Sequence, residues 1–284
     1  MSPTPATSRS PQLSAVDPIW TSLKDEARTA IAQEPVLGAF LHASVLAHRT
    51  LEDAVCHRVA RRLDHPDVGA GVMESAFNDL AANDVDLATA FRADIAAVYD
   101  RDPACQRYLD VFLYFKGFHA LAAHRFAHLM LKSGRRDFAL YLQSQSSRNF
   151  SVDINPAARI GKGIMIDHSH AIVIGETAVV GDNVSLLHGV TLGGTGKETG
   201  DRHPKVGNNV LIGAGAKVLG NISIGDCSRV GAGSVVLKDV PANVTVAGVP
   251  AQVIGPAGCP EPARSMDQLF AIDPAAYSDI GSGI

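Results

Sequence analysis

Apolar positions along the chain follow two different rhythms. From about residue 17 to 149 they recur at helical spacing, three and four residues apart. Asp17 followed by Pro18 reads as an N-cap and first helical position, opening "PIWTSLKDEARTAIAQ". Thr50 with Asp53 makes a capping-box start for "LEDAVCHRVARRL". "VDLATAFRADIAAVYD" follows. "RYLDVFLYFKGFHALAAHRFAHLML" carries the longest amphipathic pattern, and "SGRR" separates it from a last helix, "DFALYLQSQSSRNF".

After Ser151 an aliphatic residue returns every sixth position: Ile154, Ile160 and Ile166, then, after a gap of eight, Ile174, Val180, Leu186 and Leu192. The series resumes at Val206, Ile212, Val218, Ile224, Val230 and Val236. A period of six matches neither a helix nor an alternating strand, and it fits a hexapeptide β-helix. In that fold six residues make one side of a triangular coil, and the aliphatic side chain points into the axial core. Three sides close a coil, so stacked positions lie 18 residues apart, or 20 where the gap of eight intervenes. His168 and His188 then fall on the same face of adjacent coils. Asp153, fifteen residues before His168, could approach it near a corner. Residues 193–205, "GGTGKETGDRHPK", become an excursion of about eight extra residues pushed out of the coil.

The fold class is therefore α+β: an N-terminal α-helical bundle, then a left-handed parallel β-helix of hexapeptide repeats, then a flexible C-terminal tail. Residues 1–16, rich in Ser, Thr and Pro and lacking an apolar signal-like run, read as a disordered N-terminal tail. The helical domain takes 17–150, the β-helix 151–255, and the tail 256–284.

Composition narrows the function. Of 284 residues 46% are apolar and 19% charged, with a net charge of −4. This balance argues against a nucleic-acid binder. No apolar run approaches the ~20 residues that span a bilayer. The four cysteines, Cys56, Cys105, Cys227 and Cys259, are far apart and fit reduced thiols in a cytoplasmic protein. Cys227 reads as a small core residue. His124 and His128, one helical turn apart, have a spacing that can bind zinc, but no third ligand with a clear spacing accompanies them, so no metal site is expected.

The segments "FKGFHAL", "VDINPAARIGKGIMIDH", "VIGETAVVGDNVSLLHGVTLGGTGKETGDRHPKV", "IGAGAKVLGN", "VGAGSVVL" and "AGVPA" together resemble the serine acetyltransferases, from about residue 17 to the C-terminus. The resemblance implies acetyl transfer from acetyl-CoA to the hydroxyl of L-serine, giving O-acetyl-L-serine and CoA on the way to cysteine. Acetyl-CoA enters as a co-substrate, with no cofactor held permanently. It also implies a homotrimer built through the β-helix, two trimers joined through the helical halves, and feedback inhibition by L-cysteine. In this family a C-terminal isoleucine enters the active site of O-acetylserine sulfhydrylase, and this chain also ends in one, Ile284.

The chemistry supports that expectation. A serine hydroxyl needs a base as it attacks a thioester, and a histidine oriented by a carboxylate suits the task. The family's dyad falls on His168 and Asp153. The acceptor's carboxylate calls for Arg202, with His203 beside it, and its ammonium for Asp102 and Asp167. The excursion is expected to carry Arg202 and His203 toward a neighbouring subunit's His168, although "RHP" read alone is also an ordinary charged loop. For CoA the candidates are Gly194 and Thr195 in the glycine-rich excursion, with Ala214, Lys217 and Ala232 in the later coils; an exposed lysine is often merely solvated.

Two departures mark the chain. Asn155 stands where the family usually has histidine, and Ser169-His170-Ala171 where it has Ala-Thr-Gly. His168, His170, His188 and His203 also keep open a γ-type carbonic anhydrase, whose zinc sits on histidines at subunit boundaries. A hexapeptide acyltransferase with another acceptor is a further rival, and a non-catalytic scaffold that binds a partner enzyme is the third reading.

Overall fold

The computed structural model describes residues 17–196 and 199–269. Its helices are α1 (Pro18–Gln33), α2 (Gly38–Leu41), α3 (Leu51–Arg62), α4 (Ala70–Ala81), α5 (Val85–Arg101), α6 (Tyr108–Tyr114), α7 (Lys116–Lys132), α8 (Arg136–Phe150) and a short α9 (Pro262–Ser265). Both expected caps form: Asp17 accepts the Trp20 amide, and Thr50 and Asp53 close a reciprocal capping box.

The longest amphipathic pattern does not make one helix. Phe115 is extended, at φ −81° and ψ 106°, and separates α6 from α7. The reason is a tertiary contact that periodicity cannot carry. Gly117 lies against the backbone of Ile166, where a Cβ would come within 2.2 Å of the carbonyl oxygen. The chain must turn at Phe115 to bring Gly117 there.

From Val152 the strands, numbered in chain order, stack in three parallel columns. One face holds β1 (Val152–Ile154), β4 (Ile172–Ile174), β7 (Thr191–Gly193), β10 (Lys217–Leu219) and β13 (Val235–Val236). The second holds β2 (Arg159–Ile160), β5 (Val179–Val180), β8 (Lys205–Val206) and β11 (Ser223–Ile224). The third holds β3 (Met165–Ile166), β6 (Ser185–Leu186), β9 (Leu211–Ile212), β12 (Arg229–Val230) and β14 (Val244–Gly248), closed by antiparallel β15 (Ala251–Pro256). Ile166 pairs with Leu186, Leu186 with Ile212, and Ile212 with Val230, which are steps of 20, 26 and 18 residues. The middle step is the 18 of a coil plus the eight residues of the excursion. Of the thirteen periodic aliphatics all but Ile160 are buried in the axial core.

A buried ion pair joins the two halves. Arg125 of α7 donates to Asp94 of α5 at 2.7 and 2.9 Å and to the Gly161 carbonyl at 2.7 Å. The other Asp94 oxygen accepts the Ile164 amide at 3.0 Å. Burial pushes the Asp94 carboxyl up, and the adjacent guanidinium opposes that shift.

The segment after Pro256 is expected to bury little, yet its first part folds back along the third face. Ala257 and Ala263 are buried, Ser185 Oγ donates to the Ala263 carbonyl at 2.8 Å, and Arg229 pairs with Asp267 at 3.3 Å. The Ala257 and Ala263 amides donate to the carbonyls of Asn243 and Asn209 at the coil corners, at 2.9 and 3.4 Å. The residues expected to form a disordered N-terminal tail, and Ile284, lie outside the described residues.

Candidate active site

β3 ends at Ile166, and the chain turns a corner before β4. The gap of eight places two extra residues here, and His168, Ser169 and Ala171 all take left-handed backbone angles, φ 52°, 52° and 53°. This widened corner pushes the His168 side chain outward, where it is 77% exposed. Its Nε2 lies 3.8 Å from Asp167 Oδ2, and its ring meets that of His188 edge-on, 6.0 Å between centroids. Ser169 turns inward, fully buried, with its Oγ unpartnered.

The strand register extends this corner into a column. Two residues beyond Ile166, Leu186, Ile212 and Val230 stand His168, His188, Ala214 and Ala232. Gly189, Gly215 and Gly233 repeat a left-handed angle beside the last three, at φ 73°, 72° and 69°. Two imidazoles followed by two methyl groups make a shallow track rising from His168 along the coil corners. Lys217 does not reach out over it, because its ammonium donates to the Gly189 carbonyl. Thr195 sits near Gly220, and Gly194 packs beside Arg202.

Asp153 faces outward from β1 below the same corner. Its Oδ1 accepts from Gln143 Nε2 at 2.6 Å, and its carboxylate does not come within ion-pair reach of His168 in the single chain. Asp153 pairs with Val173, so it lies one coil below β4, the side that follows the His168 corner, and Gln143 of α8 takes up its carboxylate there. Asp102 caps the C-terminus of α5 and accepts the Ala104 amide at 2.8 Å; it makes no polar contact with Asp167 or His168. Asn155 closes its own turn by accepting the Ala157 amide.

Arg202 and His203 are anchored at the next corner, after β4. Thr177 Oγ1 accepts both their amides, at 3.0 and 3.1 Å. The Thr177 amide in turn donates to His203 Nδ1 at 3.1 Å. A backbone N–H can only donate, so Nδ1 carries the lone pair and the ring proton sits on Nε2. Burial, and then the Arg202 charge, lower the His203 pKa, which disfavours the imidazolium. The ring fits only because residue 175 is glycine: a Cβ there would lie 2.0 Å from Nε2. Arg202 pairs with Glu176 at 2.7 Å and donates to the Gly200 carbonyl. Thr177 and Glu176 escaped the sequence reading; only the coil arithmetic, which puts "GET" one corner from the excursion's return, could have indicated them.

In one chain, then, the predicted residues form two groups. Asp167 and His168 precede β4, Arg202 and His203 pack on the corner that follows it, and the width of that strand lies between. Among the described residues, no group of three or more metal-binding side chains is gathered. No helix among them is long and apolar enough to cross a membrane.

Comparison with known proteins bears on both halves. Residues 19–123 match the family model "Serine acetyltransferase, N-terminal", and residues 203–238 match "Bacterial transferase hexapeptide (six repeats)". The chain is 50% identical to serine acetyltransferase 4 of Arabidopsis thaliana, covering 89% of this chain and 72% of the relative. It is 48% identical to the serine acetyltransferase of Escherichia coli K12, covering 89% and 92%. Among solved structures, the Brucella abortus serine acetyltransferase in complex with coenzyme A superposes with a TM-score of 0.85 at 59% identity, covering 86% of this chain and 98% of that one. A serine acetyltransferase in complex with cysteine gives a TM-score of 0.87 at 44% identity, covering 89% and 98%. The soybean enzyme complexed with serine gives 0.82 at 48%, covering 83% and 97%.

Proposed function

The chain belongs to the serine acetyltransferase family, and from that premise we propose how its residues divide the work of moving acetyl from acetyl-CoA to L-serine. His168 takes the proton of the serine hydroxyl as its oxygen attacks the thioester carbonyl carbon. The tetrahedral oxyanion then collapses, the C–S bond breaks, and the CoA thiolate leaves with the proton returned by His168. Exposure of the imidazole at a widened corner supports this role, since the acceptor hydroxyl must reach it. Asp153 is the orienting carboxylate, meeting the imidazole when His168 turns toward β1.

The column of His168, His188, Ala214 and Ala232 is the observation that carries the reading. It offers the pantetheine arm a small-residue track that ends at the base, with Gly194 and Thr195 on its far side. Lys217, tied to Gly189, shapes that track rather than meeting a phosphate.

A second copy completes the site. The first face presents Val173, 42% exposed, between the two corner groups, and packing such faces together brings one chain's Arg202 and His203 to another's His168. Arg202, oriented by Glu176, receives the serine carboxylate, and the His203 Nε2–H donates beside it. Asp167 and Asp102 receive the ammonium. L-Cysteine, which differs from serine by sulfur for oxygen, occupies the same pocket as an inhibitor. The assembly is a homotrimer, paired through the helical halves, in the cytoplasm, and Ile284 is the contact for O-acetylserine sulfhydrylase.

Mixed oligomers test the shared site. His168→Ala and His203→Ala chains, each inactive alone in a thiol-release assay with acetyl-CoA and serine, regain activity when unfolded and reassembled together. Failure to regain any, with oligomers formed, would place both residues in one chain's site.

A further inference from the structure

The first coil of a solenoid has no coil beneath it, and its exposed base has to be covered. Here α8 packs on β1, while α5 and α7 pack on β3. Over β2 the cover is incomplete, and Ile160 is the one periodic aliphatic left half-buried. Above it opens a cleft of about 540 Å³ between α5, α7 and the first two coils. That volume suits a small molecule. It lies at the corner between β2 and β3, a full side of the coil before His168.

Beyond the Arg125–Asp94 pair, three cations and three carboxylates line the cleft, and the two sets differ in their partners. Lys132, Arg159 and Lys162 stand on its rim, and among the described residues none of the three has a carboxylate within ion-pair reach. Two of the acidic side chains at the same cleft already accept from the backbone. Asp84 caps α5, taking the Asp86 and Leu87 amides at 2.9 and 3.0 Å, and Asp182 takes the Lys162 amide at 2.9 Å. Asp86 stands at the first turn of α5, and Arg125 is neutralised by Asp94.

The inner wall carries two histidines. His128 donates Nδ1–H to the Pro156 carbonyl at 2.7 Å, which leaves the Nε2 lone pair available. His124 is buried, and its Nδ1 has no partner. An unsatisfied buried nitrogen costs stability unless some group meets it. Leu87, Ala90, Leu129 and Ile160 supply the apolar remainder.

We propose that this cleft is a second ligand site, taking a small organic anion of phosphomonoester size. Its charged group lies on Lys132, Arg159 and Lys162, and its body packs between α5 and α7, with a polar group directed at Nε2 of His128. Such a ligand bridges the helical half and the first coil.

The test is calorimetric titration of inorganic phosphate and of phenyl phosphate into the full-length protein saturated with CoA, which keeps any phosphate-binding groups of the acetyl-transfer site occupied. Saturable binding is expected, with phenyl phosphate the tighter because its ring uses the apolar wall. Charge reversal in Arg159→Glu/Lys162→Glu, both exposed side chains outside the acetyl-transfer site, weakens it by at least about tenfold. Acetyl transfer by that variant stays at the wild-type rate. Equal affinity in variant and wild type, or no saturable heat with either probe, overturns the proposal.

Discussion

The Thr177 amide donates to Nδ1 of His203 at 3.1 Å, and that one bond decides which ring nitrogen carries the proton. A substitution that moves the ring without touching Thr177 tests its importance. In Gly175→Ala the new Cβ would sit 2.0 Å from His203 Nε2. The ring must swing away, and a displacement of about 1 Å at a positioned group costs on the order of 10²-fold in turnover. Steady-state kinetics should show that loss with acetyl-CoA affinity unchanged; wild-type turnover would mean the ring has no part in the reaction.

His168→Ala removes the proposed proton acceptor and should lower kcat by about two to four orders of magnitude. CoA binding, measured by calorimetry, should persist, because the track above His168 is intact. A residual rate above a tenth of normal would move the base to another imidazole.

The same corner column predicts a separate effect on the donor. Ala232→Leu fills the track with a side chain where the structure has a methyl group, and the acetyl-CoA KM should rise by about tenfold or more, some 1.4 kcal/mol. The serine KM should hold. If the serine KM changed instead, the track would belong to the acceptor.

Much of this geometry was legible in the sequence because a solenoid converts spacing into position. The step of 20 from Ile166 to Leu186 follows from counting, as does the column that carries His168 to His188. What counting could not supply depends on contacts between distant segments. Nothing local announces the break at Phe115, since it exists to let Gly117 meet the Ile166 backbone. The Gln143 bond that occupies Asp153 comes from α8, and the Ser185 bond that holds Ala263 pairs residues 78 apart. Proline and glycine in the last segment suggested a loose end, whereas backbone bonds from Ala257 and Ala263 to distant corners hold its first part in place.

The junction of the two halves should be sensitive to loss of a single charge. Arg125→Met leaves Asp94, 1% exposed, as a buried carboxylate without its cation, a change that typically costs about 3–5 kcal/mol. Paired with Asp94→Leu, the same change should recover much of the loss, since an apolar pair needs no compensation. Urea unfolding of the three proteins measures this; a single variant as stable as wild type would remove the pair from the account of stability.

Acid should weaken the helical half through two histidines. Burial lowers the pKa values of His119 and His124 to about 3 in the folded chain, against about 6.5 when unfolded. Between those values the unfolded chain binds more protons, so stability falls as pH falls through the window and is flat above it. Each histidine contributes about 1.4 kcal/mol per pH unit there. Urea midpoints followed from pH 7 downward should show the slope, and His119→Leu should reduce it by one histidine's share. An unchanged slope in that variant would mean His119 is protonated in the folded state.

The excursion between Leu192 and Val206 leaves the coils on either side in register, Val180 pairing with Val206 as Ile160 pairs with Val180. The stacking of the coils and the placing of Arg202 and His203 are thus written on separate stretches of chain. A deletion that returned the 26-residue step to 18 would leave every coil its neighbours while taking away Arg202 and His203. What remained would be a rod whose corner column still stands, without the arginine and histidine that the excursion holds out beside it.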